Sequence, residues 1–388
     1  MKEPMSVNQS NSHSEHWSSR LTFLMASIGF SVGLGNIWRF PYITGENGGA
    51  AFIIVYLACA LCIGVPLVMS EWAIGRRTKN AVSAQGSFKE LASAESISTN
   101  WSGVGGMAVL AVFMLMLTYT VITGWTFDYF FKALTGEFTQ ITAAKSKSLF
   151  DGLMDNPIRL MLWHTLVVIT IVIISAKGIK GGVEKAVKVL MPSLFICLLV
   201  MVAYSFVVGD MSAALNFLLT PDFSQINGET FLIALGQAFF SIGIAMAVMV
   251  TYGSYLPQST SIANNAFIVV FADTFVALLA GFAIFPLVFA HGMAPDAGAG
   301  LVFQVLPIAL SELPGGQFFS AIFFLLLIAA ALTSCIGNFE PVVAWVAEKV
   351  KLSRAKATLL AGSAMWLLGL MSVASLNLLK EFHPLDFI

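Results

Sequence analysis

Charged residues are scarce in this chain of 388 residues. Asp, Glu, Lys and Arg together make up 11% of the sequence, whereas a soluble globular domain carries roughly 25%. Cysteine is scarce as well, and the four cysteines, Cys59, Cys62, Cys197 and Cys335, fall at unrelated positions in apolar segments. The composition therefore excludes an ordinary soluble domain, a disulfide framework and a cysteine-based metal centre. The net charge of −1 indicates no charged partner, and no nucleic acid is expected.

Residue patterns typical of catalysis are also missing. No nucleophile stands beside a base, and no group of His, Cys, Asp and Glu has the spacing of a metal centre. His164 and His291 lie singly near the ends of apolar segments, whereas a catalytic histidine needs partners placed around it. The sequence therefore predicts a protein that is not an enzyme.

Apolar residues make up 57% of the chain and are gathered into long runs. About 20 apolar residues are needed to cross a bilayer as a helix. We therefore predict an all-α polytopic membrane protein, with the lipid bilayer as its surroundings. The runs predict nine spans, over residues 21–44, 50–75, 106–133, 159–176, 187–209, 229–256, 264–290, 318–347 and 356–376.

The distribution of Lys and Arg predicts the orientation. Fourteen of the 20 Lys and Arg residues fall on the side of the membrane that holds the N-terminus. Positive residues are concentrated on the cytoplasmic side of membrane proteins. We therefore expect a multi-pass protein of the cell (inner) membrane, with residues 1–20 forming a cytoplasmic tail.

The first predicted span is interrupted in its middle. Residues 29–41 contain three glycines together with Asn36 and Arg39. Irregular backbone at membrane depth is tolerated where it lines a cavity, and a charged residue there usually has a function. A kinked packing helix with small residues at its contact face is the alternative.

A second interruption lies in the sixth span, at residues 239–247. The second interruption lies five spans on from the first, so the two occupy corresponding places in two halves of the chain. Paired broken helices in two inverted halves are a mark of transporters that bind their substrate at the middle of the membrane. We predict a first repeat over residues 21–209, with spans one to five, and a second over residues 210–388, with spans six to nine.

The interrupted helices carry a specific resemblance. The chain resembles the bacterial amino-acid branch of the neurotransmitter:sodium symporter family. The similarity lies in residues 17–41, 46–52, 239–255, 273–286 and 332–341, with Tyr119 and Trp125 in the third span. It implies the inverted-repeat transporter fold of five plus five helices, with helices one and six discontinuous. The tenth and later spans of the family are expected to be missing from this chain.

The resemblance implies a sodium-coupled symporter that imports a neutral, hydrophobic or aromatic amino acid by alternating access. A different class of function is the main alternative: a transport-incompetent truncated member of the family that acts as a binding or regulatory membrane protein. An ion channel is disfavoured, because nothing in the sequence resembles a selectivity filter.

Two sodium sites are implied by the resemblance. One would use the carbonyl oxygens of Gly29, Val32 and Ala330 and the hydroxyls of Thr333 and Ser334. These are hard oxygen donors, which suit a small hard cation. For the two hydroxyls taken alone, hydrogen bonding between helices is the alternative.

The second implied sodium site comprises Ser31, Asn36, Ser241 and Asp273, together with the carboxylate of the substrate. Asp273 and Ala277 stand where many relatives have the asparagine and serine that help to hold chloride. A fixed carboxylate supplies the negative charge that chloride gives elsewhere, so we expect chloride not to be required. An aspartate that caps a helix is the alternative.

The implied substrate site takes the carboxylate at the N–H groups of Leu34 and Gly35 and at the hydroxyl of Tyr119. Its full set is Phe30, Ser31, Leu34, Gly35, Leu115, Tyr119, Ile122, Phe240, Ser241, Gly243, Met246, Ser334 and Asn338. Gly33 stands where monoamine carriers have an aspartate, which favours substrates that bring their own carboxylate. Gly243 and the flexible Met246 favour a large apolar or aromatic side chain.

Four residues are implied as gates. Arg39 would close the outer side against an acid, either Asp386 or a residue beyond the end of this chain. Trp17 would plug the inner mouth. Glu348 would lock the inner side against the N-terminal tail, in which Lys2 or His13 would replace the family's arginine.

Overall fold

The computed structural model of the protein describes residues 17–295 and 300–379, and these residues are almost entirely helical. Lys2, His13 and Asp386 therefore lie outside the described residues. The helices are α1 (Arg20–Ser31), α2 (Gly35–Glu46), α3 (Ala50–Arg77), α4 (Ala84–Ala94), α5 (Thr99–Leu134), α6 (Ala143–Met154), α7 (Pro157–Ala176), α8 (Ile179–Val208), α9 (Met211–Leu219), α10 (Gly228–Ile242), α11 (Val248–Ser254), α12 (Ile262–Ala290), α13 (Leu301–Ser311), α14 (Gly316–Val350) and α15 (Arg354–Ser375).

The predicted spans correspond to helices of two kinds. Within the described part of the chain, seven single helices are long and apolar enough to cross a membrane: α3, α5, α7, α8, α12, α14 and α15. The first predicted span is the pair α1 and α2, bent by 47° at its break. The sixth is divided into α10 and α11, each too short to cross alone. The prediction of nine spans holds only if each broken pair counts as one.

The break between α1 and α2 has a local cause. Ser19 caps the start of α1 by accepting a hydrogen bond from the N–H of Thr22. The helix ends at Ser31, because Val32 has extended backbone angles. The N–H of Gly33 then donates to the side-chain oxygen of Asn36 at 3.0 Å. A side chain therefore satisfies backbone that leaves the helix at membrane depth.

The break between α10 and α11 depends on left-handed backbone. Gly243 ends α10 with φ of 77°, and Ala245 and Ala247 follow with φ of 65° and 61°. Only glycine adopts this region without a steric penalty. The N–H of Ala245 donates to the carboxylate of Glu71 on α3 at 2.7 Å. A neighbouring helix therefore holds the non-helical segment in place.

Helix α14 forms the centre of the bundle. In its most apolar stretch 83% of the residues are buried, compared with 28% for α8 at the periphery. It packs against α1, α5, α8 and α15. The two broken spans and α14 therefore meet inside the protein, away from lipid. Helices α4, α6, α9 and α13 connect the spans, and the sequence analysis did not anticipate them.

Candidate functional site

A small cavity lies where the two broken spans face α5 and α14. Eleven residues line it: Phe30, Ser31, Gly33, Gly35, Leu115, Tyr119, Phe240, Ser241, Met246, Ser334 and Asn338. Ten of these belong to the predicted substrate site, and Gly33 is the addition. The other three predicted residues, Leu34, Ile122 and Gly243, are buried beside the cavity without lining it. The structure thus brings the predicted substrate residues together.

The cavity has little free volume in this conformation. It leaves about 20 Å³ for the centres of water-sized molecules, and one water needs roughly 10–15 Å³ by that measure. The ring of Phe30 occupies the adjoining space, since an added Cβ at Gly243 would lie 2.1 Å from this ring and one at Gly337 would lie 2.9 Å from it. A bound amino acid therefore requires neighbouring side chains to move.

One end of the cavity can accept a carboxylate. The N–H of Leu34 donates to the hydroxyl oxygen of Tyr119 at 3.1 Å. A Cβ added at Gly33 would lie 2.2 Å from Ser334 Oγ and 2.9 Å from the Tyr119 hydroxyl. Gly33 thus cannot be replaced by a larger residue without displacing both groups. Backbone N–H groups and a phenol are hydrogen-bond donors of the kind that carboxylates bind, and a carboxylate here would take over the N–H of Leu34 from Tyr119.

The first predicted sodium site lies between α1 and α14. Thr333 donates its hydroxyl hydrogen to the carbonyl of Ala330 at 2.9 Å, and Ser334 donates to the carbonyl of Phe30 at 2.8 Å. Gly29 faces the same part of α14, because an added Cβ would lie 3.6 Å from the Cβ of Thr333. Each hydroxyl oxygen keeps lone pairs that can bind a cation. Val32, the fifth predicted ligand, has extended backbone angles and follows directly after the end of α1.

The second predicted sodium site is organised by Asp273 on α12. The carboxylate is fully buried and accepts hydrogen bonds from Asn36 and Ser241, both at 2.8 Å. Ser31 lies beside this group and donates to the carbonyl of Ile242 at 3.1 Å. Among the residues that the structure describes, no lysine or arginine pairs with Asp273. A buried carboxylate without a cation is unfavourable, so this position is suited to bind one.

Tyr56 is a neighbour of Asp273 that the sequence analysis missed. Its hydroxyl lies 3.4 Å from the carboxylate, and its side chain is fully buried on α3. A tyrosine in an apolar helix reads as a packing residue, so no sequence signal could have placed it here. The contact links α3 to the group around Asp273.

Arg39 lies over one end of the cavity. Its guanidinium donates to the side-chain oxygen of Gln237 and stands 5.1 Å from the centre of the Phe240 ring. The amide nitrogen of Gln237 donates in turn to the carbonyl of Gly35 at 2.9 Å. Arg39 therefore contacts an amide and an aromatic ring, whereas the predicted acid, Asp386, is outside the described residues.

Trp17 lies just before the start of α1. Its side chain is buried against Phe23, Tyr252 and Tyr255, and its indole N–H donates to the carbonyl of Tyr252 at 3.3 Å. The neighbouring Ser18 donates from its N–H and its hydroxyl to Glu184, at 2.7 and 2.5 Å. These contacts fasten the start of α1 to α8 and α11.

Glu348 has described partners outside the N-terminal tail, whereas its predicted partners, Lys2 and His13, lie outside the described residues. Its carboxylate is exposed and accepts the N–H groups of Val82 and Ser83, at 3.1 and 3.0 Å, before the start of α4. Helices α14 and α15 are joined elsewhere, where Arg354 at the start of α15 makes a bidentate ion pair with the buried Glu340 at 2.8 and 2.6 Å. The sequence analysis missed this pair, because both partners are ordinary residues near the ends of spans.

Comparisons with known proteins agree with this architecture. The model of the sodium:neurotransmitter symporter family matches residues 14–149 and 152–382. An uncharacterized sodium-dependent transporter of Haemophilus influenzae is 40% identical over 94% of this chain and 80% of its own length. An uncharacterized sodium-dependent transporter of Bacillus subtilis is 35% identical over 95% of this chain and 80% of its own length. The crystal structure of MhsT in complex with L-phenylalanine matches with a TM-score of 0.87 and 40% identity, covering 96% of this chain and 84% of that one.

These matches confirm the predicted fold class and the predicted absence of enzymatic function. The relatives are transporters, and the solved structure has the same inverted-repeat helical architecture. The match extends from the end of the N-terminal tail across both broken spans and α14. This chain belongs to the sodium:neurotransmitter symporter family and is a sodium-dependent membrane transporter.

Proposed function

We propose that the protein imports a neutral amino acid with a hydrophobic or aromatic side chain, driven by sodium, by alternating access. The observation that carries this proposal is the cavity between the two breaks. It combines donors for a carboxylate at one end with apolar walls from Phe240, Leu115 and Met246. The binding of L-phenylalanine by MhsT, which is 40% identical to this chain, supports the same class of substrate.

The substrate's own carboxylate is central to the proposal. Gly33 leaves no room for an acidic side chain, because even a Cβ would lie 2.2 Å from Ser334 Oγ. An amine without a carboxylate would therefore lack a negative partner at this place. A zwitterion brings one, and its carboxylate can meet Leu34, Gly35 and Tyr119.

Two sodium ions are proposed, one at each predicted site. The site around Thr333 would hold its ion with neutral oxygens alone. The site around Asp273 would use a carboxylate, and the substrate carboxylate would be a further ligand. Each partner then compensates the charge of the other, which makes sodium and substrate bind cooperatively.

Chloride is proposed not to be required. Two sodium ions and a zwitterion bring two positive charges into a site with little access to water, where unpaired charge is costly. Asp273 supplies one fixed negative charge. Ala277, one helical turn further along α12, offers no hydrogen bond to an anion.

Closure on both sides fits alternating access. Arg39 and Gln237 cover the cavity from outside, while Trp17 and the pair of Glu340 with Arg354 close it from inside. We propose that these groups open in turn, with residues 21–209 and 210–388 forming the two repeats. The N-terminus is proposed to lie in the cytoplasm and the protein in the cell (inner) membrane.

Uptake into proteoliposomes tests the proposal. The purified protein should accumulate radiolabelled aromatic or branched amino acids when an inward sodium gradient is imposed, and potassium in place of sodium should abolish accumulation. Binding without uptake would favour the alternative, a binding or regulatory membrane protein. The absence of both, across all neutral amino acids, would overturn the proposal.

A further inference from the structure

One polar side chain in the cavity has no hydrogen-bond partner. Asn338 on α14 lines the cavity, is 4% exposed, and has a buried amide oxygen that accepts no hydrogen bond. A buried polar atom without a partner is unfavourable and unusual in a folded protein. Its partner is therefore expected to come from outside the chain.

The other polar side chains that line the cavity are already engaged. Ser31 donates to the carbonyl of Ile242, and Ser241 donates to Asp273. Ser334, one helical turn before Asn338, donates to the carbonyl of Phe30. The hydroxyl oxygen of Tyr119 accepts the N–H of Leu34. Among the described side chains that line the cavity, Asn338 alone is left to recognise a polar group of a ligand's side chain.

The walls near this amide restrict which side chain fits. Phe30, Phe240, Leu115 and Met246 are apolar, and Met246 can adjust its shape to the ligand. A short polar side chain would leave these walls uncovered. A side chain with an apolar ring and one polar group at its edge covers the walls and reaches the amide, and phenol and indole have this form.

We infer that Asn338 makes the site selective for aromatic amino acids that carry a hydrogen-bonding group on the ring, tyrosine and tryptophan, over phenylalanine. The inference rests on the proposed function, since it concerns the side chain of the same substrate. The amide accepts a hydrogen bond from the phenol O–H or the indole N–H. Phenylalanine still enters the site, but it leaves the amide unpaired.

A matched pair of ligands tests the inference on the unaltered protein. Tyrosine and 4-methylphenylalanine have nearly the same shape, and only tyrosine has a hydroxyl. At saturating sodium, equilibrium binding to the purified full chain should be at least about tenfold tighter for tyrosine, as expected for the loss of one buried hydrogen bond. Equal binding, or tighter binding of 4-methylphenylalanine, would overturn the inference.

A substitution assigns the effect to the amide. Asn338→Leu preserves the approximate size and removes both polar atoms, so the advantage of tyrosine over 4-methylphenylalanine should disappear while phenylalanine still binds. Asn377→Leu, the same change outside the cavity, should preserve the advantage. An advantage that survives Asn338→Leu would also overturn the inference. If tyrosine and 4-methylphenylalanine bind equally well and both require sodium, the inference fails but the proposed function stands. If no amino acid binds, the inference and the proposed function both fail.

Discussion

Replacing Asp273 with asparagine tests the proposed charge balance most directly. The change keeps the shape of a fully buried side chain that is hydrogen-bonded to Asn36 and Ser241 at 2.8 Å, and it removes one negative charge. A sodium ion about 4 Å from a carboxylate is attracted by about 4 kcal/mol at an effective dielectric constant near 20. Desolvation offsets part of that attraction, so we expect a net loss of about 1.5–3 kcal/mol. The apparent affinity for sodium should therefore fall by roughly 10- to 150-fold.

The assay is equilibrium binding of a radiolabelled amino acid against sodium concentration, in chloride or in gluconate. The unaltered protein should give the same curve in both anions. Asp273→Asn should bind weakly in gluconate and recover in part in chloride. Adding Ala277→Ser should strengthen that recovery, because the new hydroxyl lies one helical turn from the lost charge and can donate to the anion.

Ala277→Ser alone is the matched control, and it should remain insensitive to chloride because Asp273 is still present. Two results would refute the reasoning. One is an unaltered sodium curve for Asp273→Asn in gluconate. The other is a collapse of binding by the unaltered protein when gluconate replaces chloride.

Three further predictions address the other parts of the site. Thr333→Val should weaken sodium binding by about 1–3 kcal/mol, because it removes one hydroxyl ligand at nearly constant volume; an unchanged sodium titration would contradict the site. Gly33→Asp should abolish amino-acid binding, since the Cβ of the new residue alone would overlap Ser334. Tyramine, which lacks the carboxylate, should bind the unaltered protein at least about tenfold more weakly than tyrosine. Equal competition by tyramine would be evidence against carboxylate recognition. Arg39→Ala should slow uptake more than it weakens equilibrium binding, because a gate acts on the conformational step. Arg77→Ala, at an exposed ion pair with Glu95, is its control. Unchanged uptake by Arg39→Ala would reduce Arg39 to a surface residue.

Most of the membrane-spanning helices could be predicted from the sequence to within a few residues, but α5 and α8 begin seven and eight residues before the predicted spans. The seventh predicted span, residues 264–290, is the helix Ile262–Ala290 in the structure. Long apolar runs encode this directly, because a helix is the only open structure that satisfies its backbone in lipid. Helix α4 escaped prediction, because eleven residues with a few apolar side chains do not stand out from a polar loop.

Residues of the site were predictable where short motifs carry them. The glycine-rich sequence around Gly33 and the neighbouring hydroxyl residues Thr333 and Ser334 identified two sides of the cavity. Partners across helices were not predictable, because which side chains meet depends on how the bundle packs. Glu348 illustrates this limit: its partners, two backbone N–H groups before α4, lie 265 and 266 positions away along the chain.

The left-handed alanines in the sixth span store conformational strain in the backbone. Each alanine in this conformation costs about 1–2 kcal/mol relative to helical backbone, so Ala245 and Ala247 together hold roughly 2–4 kcal/mol. Any state in which the segment rewinds recovers that energy, and the bond from Ala245 to Glu71 opposes rewinding. Glu71 therefore stabilises the strained segment from the neighbouring helix α3. The free-energy difference between this conformation and one in which the segment is helical therefore depends on the backbone of this segment as well as on what the cavity contains.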